Sequence, residues 1–444
     1  MLKNKKFIIA VKIVAFVLIF CLMAEGMGML VYPKTGETTP KMVLYRQQKE
    51  TPDVLMLGTS AMFRAIMPLL MDEITGLDTV DMCTPAQTML SSYTLLKDSI
   101  KQGKVPETLI LYTNIRRFCR EKSSNYDFQV MANLPLSLDK LEMMYHGFSM
   151  EEWPETLLNA VRGRENFTLK AMKRNLRSTY KISSNPEEAP EELRPYIGKG
   201  YNYDTRKQDP AAVVLPNNAV EVFSLAKADR TWYDKIAALC KEHNIDLILL
   251  AVPRLPATIL ASEDYDGYHK YMQQLADETG AQFWDLTYLK EDVMVVTSEH
   301  FRDGYHGNTS FAEPFTRVLG AMVKEHKAGT LDVSKYLYDD YETYTQLHQG
   351  VQAIFTKDKL QQKDDIRNYL DVSLIVGANT DAEYRVLVAL EDTEEYVLLQ
   401  DWSQEPRVVF GKDSLPDGRY DVKIEARPIG GEVQQTLVKP YTIK

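Results

Sequence analysis

Cysteine is scarce: Cys21, Cys83, Cys119 and Cys240 are the four in 444 residues. They form neither a CxxC pair nor the dense framework of a stapled secreted domain, so a zinc knuckle and a disulfide scaffold are both poor readings. Each reads as a small buried apolar side chain, with a Cys83–Cys119 bridge open if both sit at strand ends. A basic surplus is missing too. Acidic residues outnumber basic ones 62 to 52, giving a formal charge of -10 spread along the chain, and no basic surface offers itself to nucleic acid. The composition of a disordered chain is also absent, since 45% of residues are hydrophobic and 26% charged.

What is present begins at the amino terminus. The hexapeptide MLKNKK precedes an apolar run from Phe7 to Ala24, broken only by Lys12, with further apolar residues reaching Tyr32. A lysine cluster followed by about 20 apolar residues suits an uncleaved span with its N-terminus inside, which puts the rest of the chain outside the cytoplasm. The competing reading is a cleaved signal peptide, because Ala24-Glu25-Gly26 loosely resembles a small-x-small cleavage site. The return of apolar character at Met27 to Tyr32 favours the anchor. Cys21 follows Phe20, which is too bulky for a lipoprotein signal.

A chain of 444 residues exceeds what one hydrophobic core usually serves, so a large domain and a smaller one are expected. The boundaries read as an anchor at 1–32, a polar Pro/Gly/Thr tether at 33–50, a domain at 51–330 with an insertion at 120–220, a helical connector at 331–366, and a β-domain at 367–444. In the large domain, short apolar runs at 53–58, 77–82, 108–113, 245–252 and 281–286 alternate with helical patterns at 87–102, 221–243, 263–279 and 310–326. This rhythm predicts an α/β fold, a parallel sheet with helices on both faces, and ligands bound at the carboxyl ends of its strands. The insertion reads as a lid or substrate rim whose aromatics, Trp153, Tyr196, Tyr201 and Tyr203, either stack on sugars or pack locally. From Arg367 onward, alternating runs and the Pro416-Asp417-Gly418 turn predict an antiparallel β-sandwich, immunoglobulin-like in size.

Three places follow predicted strands and carry chemistry. Leu57-Gly58-Thr59-Ser60 ends the first strand and leads into a helix, where a serine hydroxyl lies near a helix N-terminus that favours developing negative charge. Taken alone, this serine also reads as a helix cap. Asp303 and His306 precede the last helix, spaced so that the carboxylate reaches the imidazole in a tight turn, fixing its tautomer and stabilising the imidazolium. A serine nucleophile needs such a base. Alone, His306 also reads as a loop histidine bonded to backbone. His300 is near enough to join the pair as a metal ligand, but no third compact ligand set supports a metal. Asn114 ends the third strand, where its amide serves either an oxyanion or a turn.

Together these blocks resemble the SGNH/GDSL hydrolase superfamily, which shares a Ser after the first strand, a Gly in the next loop, an Asn after the third strand and a late Asp-x-x-His. The counterparts here are Ser60, the Thr84-Pro85-Ala86-Gln87 loop, Asn114 and Asp303-Gly304-Tyr305-His306, spread over roughly residues 51 to 325. The run from Leu57 to Pro68, with Arg64, is similar to the membrane-tethered branch of teichoic-acid D-alanylation and of alginate or cell-wall polysaccharide O-acetylation. The resemblance implies a flavodoxin-like three-layer α/β/α domain. It further implies a Ser60–His306–Asp303 triad, an oxyanion hole of the Ser60 and Ala86 backbone amides with the Asn114 side chain, and no cofactor. Its implied partners are an acylated or acyl-accepting envelope glycan and a membrane-bound O-acyltransferase. A secreted carboxylesterase or lipase, and a catalytically silent glycan-binding assembly protein, stand as alternatives. Two departures are evident. Ala86 replaces the usual Gly, and Gly307 and Phe311 replace the usual Leu and Gly around the histidine.

Overall fold

In a computed structural model, the structure describes residues 2–32, 37–118, 126–177, 196–207, 221–303, 305–363, 367–393, 395–411 and 415–443. Cys119, and with it any Cys83–Cys119 bridge, lies outside these residues, as do 33–36 of the expected tether and much of the second half of the insertion. The chain opens with α1 (Leu2–Val31), α2 (Thr38–Gln47), β1 (Val54–Leu57), α3 (Ser60–Phe63), α4 (Pro68–Thr75), β2 (Thr79–Asp81), α5 (Met89–Lys101), β3 (Thr108–Tyr112) and α6 (Ile115–Phe118). The insertion supplies α7 (Asp127–Asn133), α8 (Leu138–Gly147), α9 (Trp153–Leu157), α10 (Asn159–Arg162), α11 (Leu169–Arg177) and the hairpin of β4 (Tyr196–Ile197) and β5 (Tyr201–Asn202). Next come α12 (Thr231–Glu242), β6 (Asp246–Ala251), α13 (Pro256–Leu260), α14 (Tyr265–Thr279), β7 (Gln282–Asp285), α15 (Thr309–Lys327) and α16 (Tyr341–Leu347). Seven strands finish the chain: β8 (Val351–Lys363), β9 (Arg367–Ala378), β10 (Ala382–Leu390), β11 (Val397–Ser403), β12 (Arg407–Gly411), β13 (Gly418–Pro428) and β14 (Gln435–Ile443).

The fold is mixed α/β. A parallel five-stranded sheet has the order β2-β1-β3-β6-β7, with β1 in register between its neighbours, Val54 opposite both Thr79 and Thr108. Every residue of β1 and β3 is buried, which explains why both read as continuous apolar runs rather than alternating ones. Helix α1 contains, at Phe7–Val31, a stretch long and apolar enough to cross a membrane.

The chain separates into two compact units. The first comprises 1–112, 120–203 and 229–248. In it, the segment read as a tether contains α2, with Thr38, Thr39, Lys41, Met42 and Tyr45 buried. Its polar composition concealed this because Lys41 is buried as an ion pair, 3.3 Å from the Asp81 carboxylate, while donating to the Cys83 carbonyl at 2.8 Å and lying over the Phe63 ring. Of the insertion's aromatics, Tyr201 is fully buried and the Trp153 indole donates to the Phe148 carbonyl at 3.3 Å, so both are engaged in local packing.

The second unit comprises 113–119, 204–228 and 249–444. Its last seven strands form two antiparallel sheets, β11-β10-β13-β14 and β12-β9-β8. They share one core, to which Val386, Val388, Val422 and Ile424 contribute from the first and Ile354, Val408 and Phe410 from the second. The β-domain starts at Val351 rather than 367, because β8 pairs along β9, and among the described residues of the expected helical connector α16 is the one regular α-helix. Nor does it stand apart: Ala353 and Phe355 of β8 cluster with Leu255, Ala257 and Phe301, and a side chain at Gly377 would run into the Ala257 carbonyl.

Candidate active site

Ser60 is the first residue of α3, directly after the turn that ends β1. The capping role open to it belongs to Thr59, which has extended backbone and whose hydroxyl accepts from the Ala61 amide at 3.4 Å. Gly58 is required by packing, since a Cβ there would collide with the Tyr112 side chain on β3. The Gly58 carbonyl accepts from the Thr84 amide at 3.0 Å, tying the turn before Ser60 to the loop that carries Ala86. Ala86 adopts φ +44°, a left-handed conformation that glycine reaches without steric penalty. Gln87 holds the loop: its amide donates to the Met82 carbonyl at 3.0 Å and its oxygen accepts from the Ser92 hydroxyl at 2.7 Å. Arg64, one turn beyond Ser60, is buried against Glu37 at 3.0 Å and Asn202 at 3.4 Å.

The other candidates lie in the second unit. Asn114 is buried, its Oδ1 accepting from the Arg117 amide at 3.0 Å, which starts α6 and fixes the direction of the side chain. Its Nδ2 donates to the Tyr305 hydroxyl at 2.7 Å and faces Glu221 Oε1 at 3.4 Å. Glu221, fully buried, pairs with Arg254 at 2.7 Å and Arg116 at 3.2 Å. Sequence reasoning missed this group. A usable signal was Arg254, which follows the expected strand 245–252 by two residues, where functional side chains of α/β sheets gather.

Asp303 and His306 meet as their spacing predicts. Imidazole Nδ1 lies 2.9 Å and 3.1 Å from the two carboxylate oxygens of Asp303. The same carboxylate accepts from the backbone amides of Tyr305 at 3.0 Å and His306 at 2.8 Å, and from Arg302 Nε at 3.1 Å. Burial works to raise the Asp303 pKa, but the hydrogen bond and charge of His306 and the two backbone amides outweigh it and hold the carboxyl well below the usual range. With Nδ1 facing a carboxylate, the hydrogen bonding assigns the proton to Nδ1 and leaves Nε2 as the basic nitrogen.

The surrounding loop is a closed local structure. Phe301 bridges Gly307, the Arg302 amide donates to the His306 carbonyl at 3.0 Å, and the Arg302 guanidinium reaches Asp204 at 2.9 Å. Asn308 then caps α15, accepting from the Ser310 and Phe311 amides. His300 is engaged otherwise than as a ligand, since its Nδ1 accepts from the Thr297 amide at 3.1 Å. Burial pushes its pKa down. Among the described residues no cluster of three or more His, Cys, Asp or Glu side chains is arranged to hold a metal.

The structure thus brings Asp303 to His306 and Asn114 to their loop through Tyr305, and it joins the Ser60 turn to the Ala86 loop. No family model matches the chain, and no curated protein matches it. Among solved structures, an engineered protein aligns at 11% identity and a TM-score of 0.18 over 94% of this chain and 99% of its own. A β-glucosidase from Erythrobacter marinus aligns at 10% identity and a TM-score of 0.14, over 88% of this chain and 71% of its own. Likenesses this slight carry no argument about fold or activity.

Proposed function

We propose that the chain is a membrane-anchored, extracytoplasmic serine esterase or O-acyltransferase of the SGNH/GDSL type, acting on cell-envelope glycans. The observation that carries the reading is the Asp303–His306 pair, tied through Tyr305 to an asparagine that follows β3. Ser60 follows the adjacent parallel strand β1, its capping role taken over by Thr59. Numbered on their own, the strands of the sheet run 2-1-3-4-5, the flavodoxin-like order that the resemblance implies.

In this mechanism His306 Nε2 takes the proton of Ser60 as Oγ attacks an ester or thioester carbonyl, and Asp303 stabilises the imidazolium. The oxyanion rests on the Ser60 and Ala86 amides and on Asn114 Nδ2, where it displaces the Tyr305 hydroxyl. His306 returns the proton to the leaving oxygen or sulfur. Water or a sugar hydroxyl then attacks the acyl-serine, with His306 again as base, and regenerates Ser60. No step calls for a cofactor. Helix α1 anchors the enzyme with the lysines of its amino end in the cytoplasm, beside a membrane-bound O-acyltransferase that supplies the acyl group.

The reading is tested by treating the full chain with a fluorophosphonate probe, wild type against Ser60→Ala and His306→Ala. Labelling of wild type alone supports it. An unlabelled wild type, or a Ser60→Ala variant that labels equally, overturns it.

A further inference from the structure

The end of α1 is held by a helix with an unusual surface. A hydrocarbon core of about 30 Å takes up roughly 20 helical residues, which counted from Phe7 reach Gly26. The contacts of α1 with the rest of its unit lie at this level. Glu25 reaches Lys140 at 3.8 Å, Gly28 is packed so closely on Asn159 that a Cβ would lie 2.7 Å from it, and Val31 is fully buried. Helix α11 closes the end: the Asn175 side chain, itself buried, donates to the carbonyls of Leu30 at 2.8 Å and Tyr32 at 3.0 Å.

Around α11 the residues fall on three faces. Ala171 and Asn175, four apart, are buried. Leu169 and Leu176, seven apart and so also on one face, are 78% and 67% exposed, and Phe167 just before the helix is 49% exposed. Between these faces lie Lys170, Lys173, Arg174 and Arg177, all exposed, and the helix contains no acidic residue. The two leucines and Phe167 together form a contiguous apolar ridge rather than a single exposed side chain. Four positive charges in nine residues also run against the net charge of -10 of the whole chain. An apolar ridge bordered along one side by basic side chains fits a helix lying in a bilayer interface, with leucine among the acyl chains and ammonium and guanidinium groups at anionic phosphates.

We propose that α11 is an interfacial helix that rests on the anionic phospholipid headgroups of the bilayer α1 crosses. This rests on reading α1 as a membrane span. The contact fixes the height and tilt of the first unit above the bilayer, which a single spanning helix leaves free to pivot.

The test uses the full chain reconstituted into vesicles, with the photocrosslinker p-benzoylphenylalanine introduced at position 23 or at position 176. One set of vesicles is phosphatidylcholine alone, and in the other on the order of a third of the lipid is phosphatidylglycerol. Met23 is exposed on α1 and reports the span itself. The expected result is lipid adducts from position 23 in both vesicles, and from position 176 about five- to tenfold more adduct with phosphatidylglycerol, a gain lost in Lys170→Gln/Lys173→Gln/Arg177→Gln. Adducts from 23 but none from 176, adducts of 176 with a second copy of the chain instead of lipid, or indifference to lipid charge each overturn the proposal. Absence of adducts at 23 overturns the membrane span, and the interfacial helix with it.

Discussion

A Cβ built on Gly307 would lie 2.7 Å from Cδ1 of Phe311. The ring of Phe311 fills the space beside the residue that follows His306, and is stacked on Phe315 at 5.0 Å and tilted against Phe301 at 5.5 Å. The two departures from the Leu and Gly of the resembled pattern therefore compensate each other: the bulk lost at 307 is regained at 311. Gly307→Leu is expected to destabilise the protein by about 1–3 kcal/mol through overpacking. Phe311→Gly in the same chain should recover part of that loss. Urea denaturation of both single variants and the double variant measures the coupling, and strictly additive losses would contradict the compensation.

Ala86 has φ +44° on a loop held by Gln87, a conformation that strains any residue with a Cβ. Ala86→Gly is expected to raise stability by about 0.5–1 kcal/mol, the relief exceeding the extra freedom glycine gains when unfolded. Ala86→Val should lower it. Thermal melts of the two variants against wild type decide the order.

Glu221 is fully buried between Arg254 and Arg116. Its removal leaves the buried Arg254 without this carboxylate, and Glu221→Ala is expected to cost about 3–5 kcal/mol. Glu221→Ala/Arg254→Met, which removes both buried charges, should cost less than Glu221→Ala alone in the same denaturation measurement.

Asn114 should separate catalysis from binding. Asn114→Ala is expected to lower kcat by about 10²–10³ on an aryl acetate, with KM changed only a few-fold. Tyr305→Phe removes the hydroxyl that Asn114 Nδ2 now serves, and should speed acylation by about 2- to 10-fold, the worth of one ordinary hydrogen bond. Stopped-flow acylation reads both, and a slower Tyr305→Phe would assign the hydroxyl a supporting rather than a competing part.

Two carboxylates make the second unit sensitive to acid. Asp303, as described, and Asp204 are held below the usual range. At Asp204 burial opposes the shift, and hydrogen bonds from Arg206 and Arg302 outweigh it. A folded pKa below the unfolded value near about 3.9 means the stabilisation is complete above that pH and is lost as pH falls through the folded values. The urea midpoint should therefore drop as pH falls below about 4, and drop less steeply in Asp204→Asn and Asp303→Asn.

The sequence by itself determined what depends on near neighbours along the chain. The run Phe7–Val31 is apolar whatever surrounds it, the buried strands β1 and β3 appear as uninterrupted apolar runs, and Asp303 meets His306 because three residues of turn suffice to join them. Only tertiary structure decided what depends on distant partners. Lys41 reads as part of a polar tether because its partner Asp81, which the fold buries against it, lies 40 residues further along the chain. Strand β8 reads as part of a helical connector because its partner β9 and its contacts at Leu255, Ala257 and Phe301 lie elsewhere in the chain. Asn114 and Tyr305, 191 residues apart, meet through a hydrogen bond that no local spacing encodes. Asn175 likewise carries no sign that it holds the carbonyls of Leu30 and Tyr32, because a polar side chain gains its meaning from the buried group it satisfies.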